Sequence, residues 1–130
     1  MCIRDRICAL KEQDAYRSVS AFSPICHPVK SPWGEGCFGA YLGDDRQQWQ
    51  AYDATELVKA GARAMPVLID QGTNDEFLAE QLFPQDLQVA YQQQGGSITL
   101  RLQDGYDHSY HFIATFIGEH LAYHAKALRG

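Results

Sequence analysis

The sequence predicts an α/β fold, in which parallel strands are covered by helices. Short segments with the composition of strands alternate with segments that carry helix signals, which is typical of a parallel sheet flanked by helices. The hydrophobic fraction of 45% and the charged fraction of 21% are those of an ordinary globular domain. A chain of 130 residues is long enough for one domain with a core and too short for two.

The first part of the chain is predicted to hold the end of a helix, one strand and a long loop. Residues 7–11 have the pattern of a helix end, whereas residues 1–6 show neither caps nor periodicity and receive no assignment. Residues 18–22 are predicted as a short buried strand that the following Ser-Pro pair ends. Residues 24–43 are rich in proline and glycine, so we expect a long loop that forms a wall of a binding site.

The second part of the chain alternates helices with strands. Asp53 is expected to cap a short helix, with Glu56 at its third position as in a capping box. Pro84 is expected at the start of a helix that ends near residue 93, before a Gly-Gly pair. The remaining elements are an apolar strand at residues 66–70, an alternating strand at residues 97–102 and a long helix at residues 109–128.

Charge and cysteine content narrow the class of protein. The formal net charge is -5 and there is no basic cluster, so we expect neither nucleic acid nor an anionic membrane as a partner. No apolar run approaches the length of a membrane span, and the N-terminus has no secretory signal. The four cysteines form no CxxC pair, so we expect free thiols and a cytoplasmic protein.

Asp75 and His108 are the strongest candidates for chemistry. Each follows a predicted strand, and the carboxyl ends of neighbouring parallel strands meet at one edge of a sheet. A buried carboxylate bonded to Nδ1–H of a histidine fixes its tautomer and stabilises the imidazolium form. The alternatives are a turn aspartate that binds backbone amides and a loop histidine that caps the last helix. Asp70 competes for the acid role but lies at the strand end, and Asp107 is expected to cap the last helix or hold its loop.

Other side chains allow both a functional and a structural interpretation. Trp33 lies in the proline-rich segment and is expected either to line an apolar acyl pocket or to pack in the core. His120 and His124 stand four residues apart, as metal ligands do, but no third ligand recurs nearby, so hydrogen-bonded, half-buried histidines are favoured. No metal site is predicted, because a fourth ligand and the usual spacing are also missing around Cys26, His27 and Cys37.

The order of an acid followed by a histidine matches the second half of a Ser…Asp…His hydrolase. No serine lies on a Gly-x-Ser-x-Gly elbow. Ser97 has a glycine two residues before it, but Thr99 stands where the second glycine is needed. We therefore expect the nucleophile to lie outside these residues.

Several motifs resemble S-formylglutathione hydrolase, also called esterase D, a family of α/β-hydrolases. The resemblance runs from about residue 7 to the C-terminus, and the DHSY and FIATFI motifs are quite specific to that family. The motifs include SVSAFSPI at residues 18–25, SPWG at 31–34, GYDHSY at 105–110 and FIATFI at 112–117.

The resemblance implies a fold and a domain organisation. Residues 7–130 would be the C-terminal half of an α/β-hydrolase domain, truncated before the nucleophile elbow. Residues 1–6 resemble nothing in the family, and we interpret them as a leader foreign to it, the product of a sequencing or reading-frame artefact. His27 stands where the family usually has asparagine.

The resemblance also implies an activity. The family hydrolyses the thioester S-formylglutathione to glutathione and formate in formaldehyde detoxification, and it also cleaves small carboxylic esters. It works in the cytoplasm without a metal or organic cofactor, often as a homodimer. Asp75 matches the triad acid and His108 the triad base, so these residues alone are expected to be inactive without the serine. Two alternatives stay open: a non-catalytic α/β domain that binds a small molecule or a partner, and a Cys–His enzyme using Cys26 or Cys37.

Overall fold

The fold is built on a parallel sheet of three strands. In the computed structural model, which describes residues 3–63 and 65–130, the strand order is β1-β2-β3. Ala21 pairs with Ile69, and Ile69 pairs with Leu100. The predicted α/β class with parallel strands is confirmed. The strands are β1 (Val19–Phe22), β2 (Val67–Gly72) and β3 (Ile98–Gln103).

Helices connect and cover the strands. Asp53 caps one of them as predicted, because its Oδ1 accepts a hydrogen bond from the backbone N–H of Glu56 at 3.0 Å. A short π-helical segment, Leu78–Leu82, precedes the helix that begins at Pro84. The α-helices are α1 (Ile3–Lys11), α2 (Pro32–Leu42), α3 (Arg46–Gln50), α4 (Ala54–Lys59), α5 (Pro84–Gln93) and α6 (Tyr110–Arg129).

The prediction of a long loop at residues 24–43 was wrong, because α2 occupies most of that segment. Ser31 caps the helix by accepting a hydrogen bond from the N–H of Gly34, and the following proline stands at a first-turn position, where it needs no N–H partner. Gly34 does not mark a turn. A Cβ on it would lie 1.9 Å from the carbonyl oxygen of Pro28, so the glycine allows close packing of two backbone segments.

Helix α1 begins within the segment that received no assignment. Met1 and Cys2 lie outside the described residues, and the helix runs from Ile3 without a break into the segment assigned as a helix end. Arg6 is buried, and its guanidinium group donates to the carbonyl oxygen of Ile25 and to Sγ of Cys26 at 3.1 Å. A boundary of the family domain at residue 7 stays a prediction.

The core lies on both faces of β2, whose six residues are all buried. Successive side chains of a strand point to opposite faces. One face packs against α1, α4 and α5, and Asp70 on the other face contacts α6. The buried hydrophobic cluster on the first of these faces consists of Leu10, Cys26, Ala54, Val58, Val67, Ile69, Leu87, Ala90 and Tyr91.

Candidate active site

Two loops meet at the carboxyl end of the sheet and form the candidate site. The loop after β2 and the loop after β3 are joined by backbone hydrogen bonds. Thr73 N–H donates to the carbonyl oxygen of Gln103, and Asn74 N–H donates to that of Tyr106, both at 3.0 Å. The N–H of Gly105 donates to Oγ1 of Thr73 at 3.0 Å. These bonds hold the two loops in one arrangement relative to each other.

Gly72 allows the close approach of the two loops. It is the last residue of β2, and it lies directly against Tyr106 of the other loop. A Cβ on Gly72 would lie 2.1 Å from the carbonyl oxygen of Tyr106, far inside van der Waals contact. A residue with a side chain therefore cannot occupy this position without moving the loop that carries His108.

Asp75 and His108 form a hydrogen-bonded pair across the two loops. Oδ2 of Asp75 lies 2.8 Å from Nδ1 of His108. The Asp75 side chain is fully buried, whereas 34% of the His108 side chain is exposed. The other carboxylate oxygen, Oδ1, accepts a hydrogen bond from the N–H of Phe77 at 2.9 Å. The structure thus brings together the two residues that the sequence placed at one edge, although their catalytic roles stay predictions.

The pair leaves one ring nitrogen of His108 free for chemistry. An ionised carboxylate can only accept, so Nδ1 carries the hydrogen and Nε2 of the neutral ring carries a lone pair. No residue that the structure describes hydrogen-bonds Nε2. His108 also lines an open cavity of about 320 Å³. The other residues that line it are Phe22, Ser23, Ser109, Tyr110, Phe112 and Ile113.

Asp70, the alternative candidate for the acid that binds His108, forms hydrogen bonds with other residues. Its Oδ2 lies 2.7 Å from Nε2 of His120, and Arg101 donates to both of its oxygens. Burial alone would raise the pKa of the Asp70 carboxyl. Hydrogen bonds from His120, Arg101 and Gln103 outweigh that effect and lower the pKa to about 2. Asp70 therefore cannot be the acid that orients His108.

Comparison with known proteins assigns the chain to a family. A family model described as "Putative esterase" matches residues 7–123. The chain belongs to this esterase family. S-formylglutathione hydrolases of Rattus norvegicus and Mus musculus are each 54% identical to it over 124 residues, which is 94% of this chain and 44% of those proteins. The esterase chain thus spans less than half the length of these relatives.

A solved structure supports the same assignment. An S-formylglutathione hydrolase from Agrobacterium tumefaciens superimposes with a TM-score of 0.92 at 45% identity, over 95% of this chain and 44% of that one. The resemblance drawn from the motifs and the α/β-hydrolase fold are both confirmed. Within the described residues of the esterase chain, no helix has the length and apolar character to span a membrane.

Trp33 contacts the candidate site through a neighbouring residue, Phe77. Its ring packs on Phe77 with 4.6 Å between ring centroids, and Phe77 contacts the His108 ring edge-on at 5.3 Å. Trp33 is 42% exposed and is not among the residues that line the cavity beside His108. Its predicted role in binding substrate stays a prediction.

Two of the three histidines of α6, His120 and His124, are hydrogen-bonded, as expected. Nδ1 of His120 lies 2.8 Å from Oγ of Ser20, and Nε2 of His124 lies 2.9 Å from the same oxygen. Nδ1 of His124 lies 2.7 Å from Oγ of Ser18. Burial, and then the neighbouring His120, lower the pKa of His124. Among residues 3–63 and 65–130, no cluster of metal-binding side chains could hold an ion.

Cys26 and His27 have structural surroundings, whereas Cys37 is exposed. Burial raises the pKa of the Cys26 thiol despite the nearby Arg6, which makes Cys26 a poor nucleophile. His27 is held between two carboxylates, with Nδ1 at 2.8 Å from Asp86 and Nε2 at 2.9 Å from Glu56.

Sequence reasoning missed one polar residue and misplaced another. Gln71 is fully buried, and its Nε2 donates to Oδ2 of Asp75 at 3.0 Å. The only signal was a polar residue directly after an apolar strand. Asp107, expected to cap the last helix or hold its loop, is exposed, and α6 has no side-chain cap within the described part of the chain.

Proposed function

We propose that this chain supplies the acid–base pair of a serine hydrolase that cleaves S-formylglutathione to glutathione and formate, and that also cleaves small carboxylic esters. The observation that carries the proposal is the 2.8 Å hydrogen bond between Asp75 and His108 in a chain of the esterase family. The name shared by the rat, mouse and Agrobacterium relatives supports the choice of substrate.

The pair would move one proton in each half of the reaction. Nε2 of His108 takes the proton of a serine hydroxyl, supplied by a part of the enzyme that these residues do not cover, as that oxygen attacks the thioester carbonyl. Asp75 stabilises the imidazolium that forms, because its charge lies against Nδ1–H. His108 then protonates the departing glutathione thiolate. In the second half it takes a proton from the water that hydrolyses the formyl ester and returns it to the serine.

The 130 residues alone are expected to show no esterase turnover. Among the described residues, no serine hydroxyl or cysteine thiol hydrogen-bonds Nε2 of His108. Loss of the nucleophile alone typically lowers kcat by a factor of about 10⁶. Hydrolysis of p-nitrophenyl acetate by the purified chain should therefore equal that of its His108→Ala variant. Turnover that a serine-directed phosphonate abolishes would contradict this expectation.

A chimera tests the proposed activity directly. Residues 7–130 replace the matching segment of the rat S-formylglutathione hydrolase, which shares 54% identity with them, and the rat protein supplies the rest. The chimera is expected to hydrolyse S-formylglutathione. His108→Ala should lower kcat by a factor of about 10⁶, because the general base is lost. The control is His111→Ala, because His111 is exposed on α6 and makes no contact with Asp75.

The same experiment separates the hydrolase from a non-catalytic binding domain. A chimera that stays active after His108→Ala would show that the pair is not the acid–base machinery. The remaining expectations belong to the whole enzyme: a cytoplasmic homodimer, with residues 7–130 as the C-terminal part of its domain and with no cofactor in the proposed steps. Sedimentation of the active chimera tests the dimer.

A further inference from the structure

Gln71 places an amide against the carboxylate of the candidate acid. It is the penultimate residue of β2, four residues before Asp75, and no part of it is exposed. Its Nε2 donates one hydrogen to Oδ2 of Asp75 at 3.0 Å and lies 3.1 Å from the carbonyl oxygen of Gly72. Both hydrogens of the amide therefore have acceptors.

The other end of the same amide has no partner. Oε1 of Gln71 is buried, and within the described residues nothing donates a hydrogen bond to it. Rotating the amide group by 180° would leave Oε1 without a donor as well, because it would then face two acceptors, the oxygens of Asp75 and Gly72. A residue that only filled space would not carry an unpaired buried oxygen, since methionine has a similar shape without one. What the position requires is therefore the pair of N–H donors.

We propose that Gln71 is a positioning residue that fixes the carboxylate of Asp75 in the plane needed to bind His108. Three donors converge on this carboxylate. Gln71 and His108 donate to Oδ2, and the N–H of Phe77 donates to Oδ1. Without Gln71, the only donor to Oδ2 that remains among residues 3–63 and 65–130 is the ring that Asp75 has to orient. This inference rests on the proposed function, because positioning Asp75 matters only if the pair is catalytic. The position of the carboxylate can nevertheless be measured without turnover.

The first test follows the hydrogen on Nδ1 of His108 by NMR. In protein labelled with ¹⁵N-histidine, the resonance is assigned by its absence from His108→Ala. Gln71→Met keeps the length of the side chain and removes both donors. We expect the Nδ1–H resonance of this variant to broaden by exchange with water or to vanish, and the neutral ring to shift towards its Nε2–H tautomer. An unchanged resonance and tautomer in a folded Gln71→Met variant would overturn the proposal.

A second variant keeps the test decisive if Gln71→Met does not fold. In Gln71→Glu the introduced carboxyl lies beside Asp75, so burial and like charge raise its pKa. Its protonated form can donate to Oδ2 as the amide does, and its ionised form repels it. We therefore expect the wild-type resonance at low pH and its loss as the introduced group ionises. Asp75 and His108 are the ionisable partners in this chain of hydrogen bonds, so wild type is measured at the same pH values as a control. Identical behaviour of variant and wild type across the titration would refute the role.

Turnover of the chimera separates this inference from the proposed function. A displacement of about 1 Å in a catalytic group costs roughly 100-fold in rate. Gln71→Met in the chimera should therefore lower kcat by 10- to 100-fold, on the order expected for such a displacement, and leave KM nearly unchanged. If His108→Ala leaves the chimera active, the proposed function fails while the NMR result stands. If Gln71→Met leaves both the resonance and kcat unchanged, the positioning role fails while the proposed function stands.

Discussion

Replacing Gly72 with alanine should separate the two loops that carry Asp75 and His108. The new Cβ would lie 2.1 Å from the carbonyl oxygen of Tyr106, and ordinary van der Waals contact begins at 3.4 Å, so the loops must move apart by about 1.3 Å. The hydrogen bond between Asp75 and His108 is 2.8 Å long, and a movement of this size carries it beyond hydrogen-bonding distance.

The expected loss of stability follows from the same geometry. Forcing an extra carbon into a packed position typically costs about 1–3 kcal/mol. The N–H of Asn74 also loses its acceptor on Tyr106, which adds roughly 1 kcal/mol. A total of about 3 kcal/mol corresponds to a fall in Tm of roughly 10 °C for a domain of this size. Thermal unfolding followed by circular dichroism measures the Tm, and the Nδ1–H resonance of His108 reports the loop separation.

Gly118→Ala is the matched control. Gly118 lies within α6, and a Cβ there meets no atom within 4 Å. Alanine in a helix interior is more stable than glycine by about 0.5–1 kcal/mol, so the control should melt at the same temperature as wild type or slightly above it. If Gly72→Ala melts with the control and keeps the His108 resonance, then the two loops are not held by this contact and the reasoning is wrong.

The remaining predictions concern titration and thiol reactivity. The pKa of Asp70 is lowered to about 2 in the folded chain. Its contribution to the free energy of unfolding is therefore fully present above the unfolded pKa of about 3.9, and it is lost as the pH falls through 2. Urea unfolding between pH 5 and pH 2 should show this loss in wild type and not in Asp70→Asn, whose stability at pH 5 should be lower by roughly 2 kcal/mol. The pKa of His124 is lowered by burial, so protonation favours the unfolded chain, and stability should fall as the pH drops below about 6.5. His124→Gln should flatten that part of the profile, and an unchanged slope would contradict the assignment. Iodoacetamide should label the exposed Cys37 long before the buried Cys26, as peptide mapping by mass spectrometry can check. Equal labelling rates in the folded chain would show that Cys26 is accessible.

The pairing of Asp75 with His108 could be predicted because it depends on chain order and topology. Each residue follows a strand, and parallel strands place such residues at one edge. The helix α2 could not be predicted in this way. Its glycines and proline are turn signals in sequence, and only the contact of Gly34 with Pro28 shows why a glycine belongs inside a helix there.

Partners that are distant in sequence were also beyond prediction. Asp70 was considered as an acid for His108, but it binds His120, which is 50 residues away. Nothing in the local sequence of either residue indicates the other. Gln71 was missed for a similar reason, because its role depends on an amide orientation that only the neighbouring acceptors reveal.

A row of hydrogen bonds between β1, β2 and α6 joins Asp70, His120, Ser20, His124 and Ser18. Asp70 sets the direction in which each of these bonds donates its hydrogen. The ionised carboxylate requires a hydrogen on Nε2 of His120, so Nδ1 of the neutral ring must accept from the hydroxyl of Ser20. That oxygen then accepts from Nε2–H of His124, whose Nδ1 in turn accepts from Ser18. All the dipoles in the row point the same way, and the carboxylate at the centre of the sheet decides which nitrogen of His124 is protonated, three hydrogen bonds away.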